Sequence, residues 1–236
     1  MDELPYDLFN KIKDYVIFKP KNKEELEEAV DFYCYDKEKG IEKYGVINNW
    51  DVRNIVDMSN LFCCKKYFNE PINNWDTSNV TNMDSMFANA ETFNQPLDKW
   101  NTSNVTNMND LFFGARKFNQ PLDKWDTSNV ANMRMLFNGA KSYNKPLNNW
   151  NTSNVKNMSM LFNGAKEFNQ PLDKWDTSNV TDMEAIFKDA KQFNQPLNDW
   201  NISNLSSTEF MFNNSESFNQ SLNKWDTSNV TNMFAM

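Results

Sequence analysis

The stretch PLDKWNTSNVTNMNDLFFGARKFNQ, residues 96–120, is one copy of a unit that fills most of the chain. Its tryptophan, Trp100, has counterparts at Trp50, Trp75, Trp125, Trp150, Trp175, Trp200 and Trp225, and these are all 8 tryptophans of the 236 residues. The period is 25 residues with no insertion or deletion. A fixed period of this length marks a chain in which one unit cannot bury its own apolar face and stacks on its neighbours to do so.

Within the unit, Trp100 and Thr102 stand two apart, as side chains on one side of an extended segment do, so both point inward and Lys99, Asn101 and Ser103 point out. Seven residues after each Trp comes Asp57, Asn82, Asn107, Asn132, Asn157, Asp182, Ser207 or Asn232, each a good helix N-cap. Met158, Leu161, Phe162 and Ala165 then follow at the spacing of one helical face, with Val155 placed as a staple. Gly114, Gly139 and Gly164 stand where such a helix would end left-handed. Phe168 to Leu172, through Pro171, returns the chain in an extended form. The spacing therefore predicts an α/β fold: a right-handed leucine-rich-repeat-like solenoid with one strand and one short helix per 25-residue turn and a parallel sheet along one wall. Two asparagine columns are unbroken, Asn54 to Asn229 four residues after each Trp and Asn69 to Asn219 after the returning aromatic. Side-chain amides at every turn can satisfy backbone groups between turns, so both columns read as structural ladders.

Composition narrows the function. There are 24 Lys plus Arg against 32 Asp plus Glu, a net charge of −8, which argues against nucleic acid or an anionic membrane as partner. Histidine is absent, so His-dependent acid–base or nucleophilic chemistry has no carrier, and zinc loses a usual ligand. The 3 cysteines, Cys34, Cys63 and Cys64, are an odd number with two adjacent, unlike a disulfide framework. The opening MDELPYDLF is acidic and lacks an apolar run, which predicts a cytoplasmic protein without a secretory signal. No cofactor, metal site or catalytic residue is expected.

The string WDTSNVTNM, followed by Met-Phe, a small residue and FNQPL, resembles the 25-residue repeats of the BspA-like surface-protein family, also found as the mycoplasma lipoprotein-associated repeat. The resemblance runs over roughly residues 20–236 and implies a variant of the leucine-rich repeat. Family members include bacterial adhesins, and similar arrays occur in large DNA viruses and protists.

Residues 1–49 are not repeats and read as an N-terminal helical segment and cap, with the repeat array over 50–236. In KNKEELEEAVDFYCY, residues 21–35, Leu26, Ala29, Val30 and Tyr33 stand at helical spacing and charges lie opposite, the pattern of a helix covering the first turn. Before it, LPYDLFNKIKDYV is similar to the opening of an F-box through Leu4, Pro5, Leu8, Ile12 and Val16.

The expected function is a non-catalytic scaffold that binds a protein or glycan through the polar outer face of the sheet. The residues expected to line that face are Asp76, Lys99, Asn101, Ser103, Lys124, Asp126, Ser128, Asn151, Ser153, Lys174, Asp176 and Ser178. Within it Asp76, Asn101, Asp126, Asn151, Asp176, Asn201 and Asp226 alternate in identity, a pattern that either charge separation or a duplication unit of two turns produces, with Asp51 beside Asp76 as the exception. Two other classes compete: an F-box-like ubiquitin-ligase adaptor and a cell-surface adhesin, the latter requiring export. Val230, Met233, Phe234 and Met236 are expected to lie at an uncovered end, which implies either end-to-end pairing with a second copy or a longer native chain.

Overall fold

A computed structural model of the chain describes residues 17–236; the F-box-like stretch 4–16 lies outside them. Helix α1, Lys23–Tyr35, begins where the Asn22 side chain accepts the Glu25 N–H at 3.0 Å, with Glu24 and Glu25 set against the positive end of the helix dipole. It buries Leu26, Ala29, Val30 and Tyr33, the face read from the sequence. Helix α2, Lys37–Tyr44, follows at once, capped by Asp36 and ended by Gly45 at φ 74°. Tyr33 and Tyr44 stand edge-on to Trp50, with centroids 5.8 and 5.9 Å away. Lys23 Nζ reaches Ser59 Oγ at 2.6 Å and Asp57 Oδ2 at 3.2 Å, fastening α1 to the first repeat. A 3₁₀ turn, Ile47–Asn49, leads into Trp50.

After Asn49 the chain winds through 25-residue turns, but the α/β assignment does not hold. The described repeats contain no helix and no sheet, only isolated parallel bridges such as Asn82 to Asn107 and Asn107 to Asn132. Backbone bonding explains why the expected helix does not form. Met108, Asp110, Phe112 and Gly114 send their N–H groups forward to the carbonyls of Asn132, Arg134, Leu136 and Asn138 in the next turn, at 2.7–3.1 Å. The alternate donors, Leu111, Phe113 and Ala115, bond three residues back to Met108, Asp110 and Phe112. An α-helix needs every such group to reach four residues back within its own segment. Asp110 at φ 54° and Gly114 at φ 65° occupy the third place of two of these turns, where a type II turn calls for a left-handed residue. The expected strand fails for a related reason. Turns close from Trp100 N–H to Leu97 O, Val105 N–H to Thr102 O and Phe118 N–H to Ala115 O, so no extended run is long enough to pair as a strand.

The apolar spacing nevertheless identified the core. Met108, Leu111, Phe112 and Ala115 are fully buried, because a run of tight turns can turn the same four positions inward as a helix would. Aromatic columns form the middle of the molecule. Phe62, Phe87, Phe112, Phe137, Phe162 and Phe187 stack at 5.3–5.7 Å, and each lies against the returning aromatic of its own turn, as Phe112 does on Phe118 at 4.0 Å. Trp100 and Trp125 stack beside them at 6.3 Å, and each buried Trp removes about 200 Å² from water. Thr77, Thr102, Thr127, Thr152 and Thr177 are buried too, as the inward reading of Trp and Thr requires.

Candidate binding surface

The predicted outer face begins with the residue after each Trp. Asp76, Asp126 and Asp176 accept, through Oδ1, the backbone N–H of Ser78, Ser128 and Ser178 at 2.9–3.0 Å. Asn101 and Asn151 do the same for Ser103 and Ser153, at 3.0 and 3.1 Å. Asp and Asn are interchangeable here because the turn needs only one acceptor oxygen two residues before the donor. The backbone of the ridge is also tied across turns. Thr102 Oγ1 donates to Asp126 O at 2.9 Å, and the amides of Asn104, Asn129 and Asn154 donate to the carbonyls of Ser78, Ser103 and Ser128 at 2.6–2.7 Å. The asparagine column four residues after Trp is thus a ladder, as read from the sequence. The second column is another: Asn94 Oδ1 accepts the N–H of Asn119 at 2.9 Å and the side-chain amide of Gln120 at 3.0 Å.

The Asp and Lys side chains of this ridge are exposed, whereas its serine hydroxyls turn largely toward the preceding Asp or Asn, as Ser153 Oγ does to Asn151 Oδ1 at 2.7 Å. Lys99 Nζ rests on Asn74 Oδ1 at 2.9 Å, Lys124 lies 3.8 Å from Asp98, and Lys174 is exposed without an ion pair among the described residues. The structure brings the twelve predicted residues into register as exposed or half-exposed columns, on a row of tight turns and not on a sheet.

The serine hydroxyl and N–H hold the carboxyls of Asp76, Asp126 and Asp176 below the usual carboxylate range. Adjacent backbones at about 4.8 Å would set neighbouring carboxylates about 0.9 kcal/mol against each other in water, and about 0.4 at twice that distance. Alternation with Asn gives the wider spacing. The exception, Asp51 beside Asp76, is resolved by a residue the sequence reading passed over. Arg53 stands where later turns carry Ser, and its guanidinium grips Asp51 at 2.7 and 2.8 Å, while Lys19 lies 3.4 Å from the same carboxylate. Arg53 holds the Asp51 carboxyl far below its ordinary range and also lowers that of Asp76.

A cleft of about 400 Å³ separates the end of α1 from the first repeat, lined by Tyr33, Cys34, Lys37, Cys64, Tyr67 and Glu70 among others. Lys37 and Glu70 pair across it at 2.8 Å. The Cys63 and Cys64 sulfurs stand 3.6 Å apart, and burial pushes the Cys34 and Cys63 thiols up to about 11. At neutral pH those two are protonated and poor nucleophiles. At the other end, Met233, Phe234 and Met236 are 47, 64 and 40 % exposed, and Val230 is half-buried. Among the described residues no cluster of three or more His, Cys, Asp or Glu side chains has metal-binding geometry, and no helix is long and apolar enough to cross a membrane.

Stacked 25-residue turns of this composition define a repeat protein. The chain belongs to the family described as "Mycoplasma protein of unknown function, DUF285", which matches over residues 33–150 and again over 133–236. No curated protein and no solved structure matches it.

Proposed function

We propose that the chain is a non-catalytic scaffold that binds a protein partner through the ridge running from Lys99, Asn101 and Ser103 to Lys174, Asp176 and Ser178. The observation that supports this reading is the fastening of that ridge. Its backbone is bonded turn to turn, while its Lys and Asp side chains remain exposed, so a partner meets prearranged polar groups with little ordering left to pay. The resemblance of the WDTSNVTNM box to BspA-like surface repeats supports the same class of role.

The test is a photo-crosslinking residue placed at Ser128, compared with one at the exposed Thr106 on another column. Binding through the ridge predicts a crosslinked protein from Ser128 that is lost in the Lys99→Glu/Lys124→Glu/Lys174→Glu variant. Crosslinks from Thr106 alone, or a glycan in place of a protein, would overturn it.

A further inference from the structure

Sixteen residues after each Trp, a column runs Lys66, Glu91, Arg116, Lys141, Lys166, Lys191, Glu216. Four cations follow one another in consecutive turns with nothing neutral between them. The ridge described above does the opposite with its carboxylates, interposing Asn at every second turn from Asp76 onward. One molecule therefore dilutes like charge on one column and concentrates it on another, at the same spacing of about 4.8 Å. The run is also closed at both ends. Glu91 pairs with Lys66 at 3.5 Å and Arg116 at 3.4 Å, and Glu216 pairs with Lys191 at 2.6 Å.

Between those ends Lys141 and Lys166 are exposed and make no ion pair among the described residues. In sequence Lys117 follows Arg116, Lys145 stands four residues after Lys141, and Glu167 follows Lys166. The backbone under the run is pinned at each step: Ser142 N–H donates to Arg116 O, Glu167 N–H to Lys141 O and Gln192 N–H to Lys166 O, each at 3.2 Å. The cations are thus carried on a rigid base; Arg116 and Lys191 are paired at its two ends, and Lys141 and Lys166, in the middle, have no ion pair among the described residues. Such an arrangement favours whatever anion comes to lie along it.

We propose that Arg116, Lys141, Lys166 and Lys191 form a docking ridge for a short acidic peptide segment, a surface separate from the one assigned above. Three intervals of about 4.8 Å give a ridge about 14 Å long, the span of four or five extended residues at about 3.4 Å each. Its length favours a short segment over nucleic acid or a sulfated polysaccharide. A longer polyanion would overrun Glu91 and Glu216 onto a chain of net charge −8, within the screening distance of about 8–10 Å.

The probe is a fluorescein-labelled hexaglutamate peptide, followed by anisotropy at about 20 mM and about 200 mM salt. Binding is expected at low salt, weakening as salt rises, with a loss of about tenfold or more in Lys141→Glu/Lys166→Glu. The control Lys21→Glu/Lys43→Glu, in the helical cap, makes the same change in net charge and is expected to lose much less than the first variant at both salts. Unchanged binding in the first variant overturns the proposal, as does tighter binding of a sulfated hexasaccharide or an oligonucleotide through the same lysines. Folding is checked separately with Lys141→Gln/Lys166→Gln. Relief of repulsion should leave its melting temperature at low salt no lower than the parent's, and a clear fall would show that the lysines serve the fold instead.

Discussion

The indole Nε1 of Trp125 donates to the carbonyl oxygen of Leu97, 28 residues earlier, at 3.1 Å, and the same oxygen accepts the backbone N–H of Trp100 at 3.2 Å. One carbonyl thus uses both lone pairs, one within its turn and one across to the next. The pattern recurs from Trp75 on Ile47 O to Trp225 on Leu197 O, so every Trp after the first locks its own turn to the one before as well as filling the core.

Replacing Trp125 by Ala should cost about 3–5 kcal/mol through the cavity it leaves. Lys124→Ala, one residue away and exposed, should change stability by no more than about 0.5 kcal/mol. Urea midpoints of the two variants measure the difference, and equal midpoints would show the inward and outward faces to be misassigned.

Tyr143 replaces the Phe found at this place in the neighbouring turns, and its hydroxyl is buried without a hydrogen-bond partner. Burial holds the phenol well above its ordinary pKa, so it stays neutral and its cost is that of an unsatisfied hydroxyl. Tyr143→Phe should therefore stabilise the chain by about 1 kcal/mol. Thermal unfolding gives the sign, and a loss of stability would mean that the hydroxyl has a partner.

Gly114 and Gly139 occupy the same left-handed place in successive turns, at φ 65° and 71°. A Cβ on Gly139 meets only Gly114, at 3.6 Å, so Gly139→Ala should cost the left-handed penalty alone, about 1–2 kcal/mol. A Cβ on Gly114 collides with Asn89 Oδ1 and should cost more. Adding Asn89→Ala should bring the Gly114→Ala cost back toward that of Gly139→Ala; chemical denaturation of the four variants checks this.

The weakest internal turn should be the one from Trp200, which carries Ser207, Thr208, Ser215 and Ser221 at places where the commonest residues are Asn, Met, Ala and Pro. Six of the seven adjacent turn pairs share a parallel bridge, and the one without it is Asp182 to Ser207. Thr208 Oγ1 bonds to the Met236 sulfur at 3.3 Å, and Ser215 Oγ to Phe187 O, so both hydroxyls are satisfied but the methionine's apolar volume is lost. Amide hydrogen exchange should be faster over 205–221 than over 155–171, and the reverse order would refute this.

Acid sensitivity provides another check. Asp76, Asp126 and Asp176 have folded pKa values depressed by their serine partners, so each adds stability that is present above its unfolded value of about 3.9 and disappears as pH falls through the folded one. Changing all three to Asn, the residue already used at 101 and 151, keeps the turn acceptor. The triple variant should show a flatter fall in stability below about pH 4 than the parent, measured as urea midpoint against pH.

The residues that reach the core and the residues that link the turns were legible in the sequence, because burial and side-chain hydrogen bonding both follow from the period. Trp100 and Thr102 face inward, Lys99 and Asn101 outward, and both asparagine columns bridge turns as expected. The secondary structure was not legible. Met158, Leu161, Phe162 and Ala165 carry a helical spacing that a chain of tight turns satisfies equally well, and what separates the two is the destination of alternate N–H groups. That destination depends on a neighbour 24 residues away. Gly114, read as a helix stop, was the local clue: its equivalents Cys64, Asn89, Asp189 and Asn214 are also left-handed, a conformation required in every turn. Arg53 and the cationic column escaped notice because each shows its meaning only beside the columns next to it.

The bonds between turns run at fixed separations of 24, 25, 26 and 28 residues, repeated along the array. In evolutionary terms, length is then quantised. A single inserted residue would change by one every separation that spans it, putting the Trp, Phe and Asn on either side out of line with their partners, whereas an in-frame duplication of one whole unit adds a turn that already fits both neighbours. Such a gene can grow or shrink by recombination between its own repeats and still encode a folded chain, so copy number can vary where a one-codon change in spacing cannot.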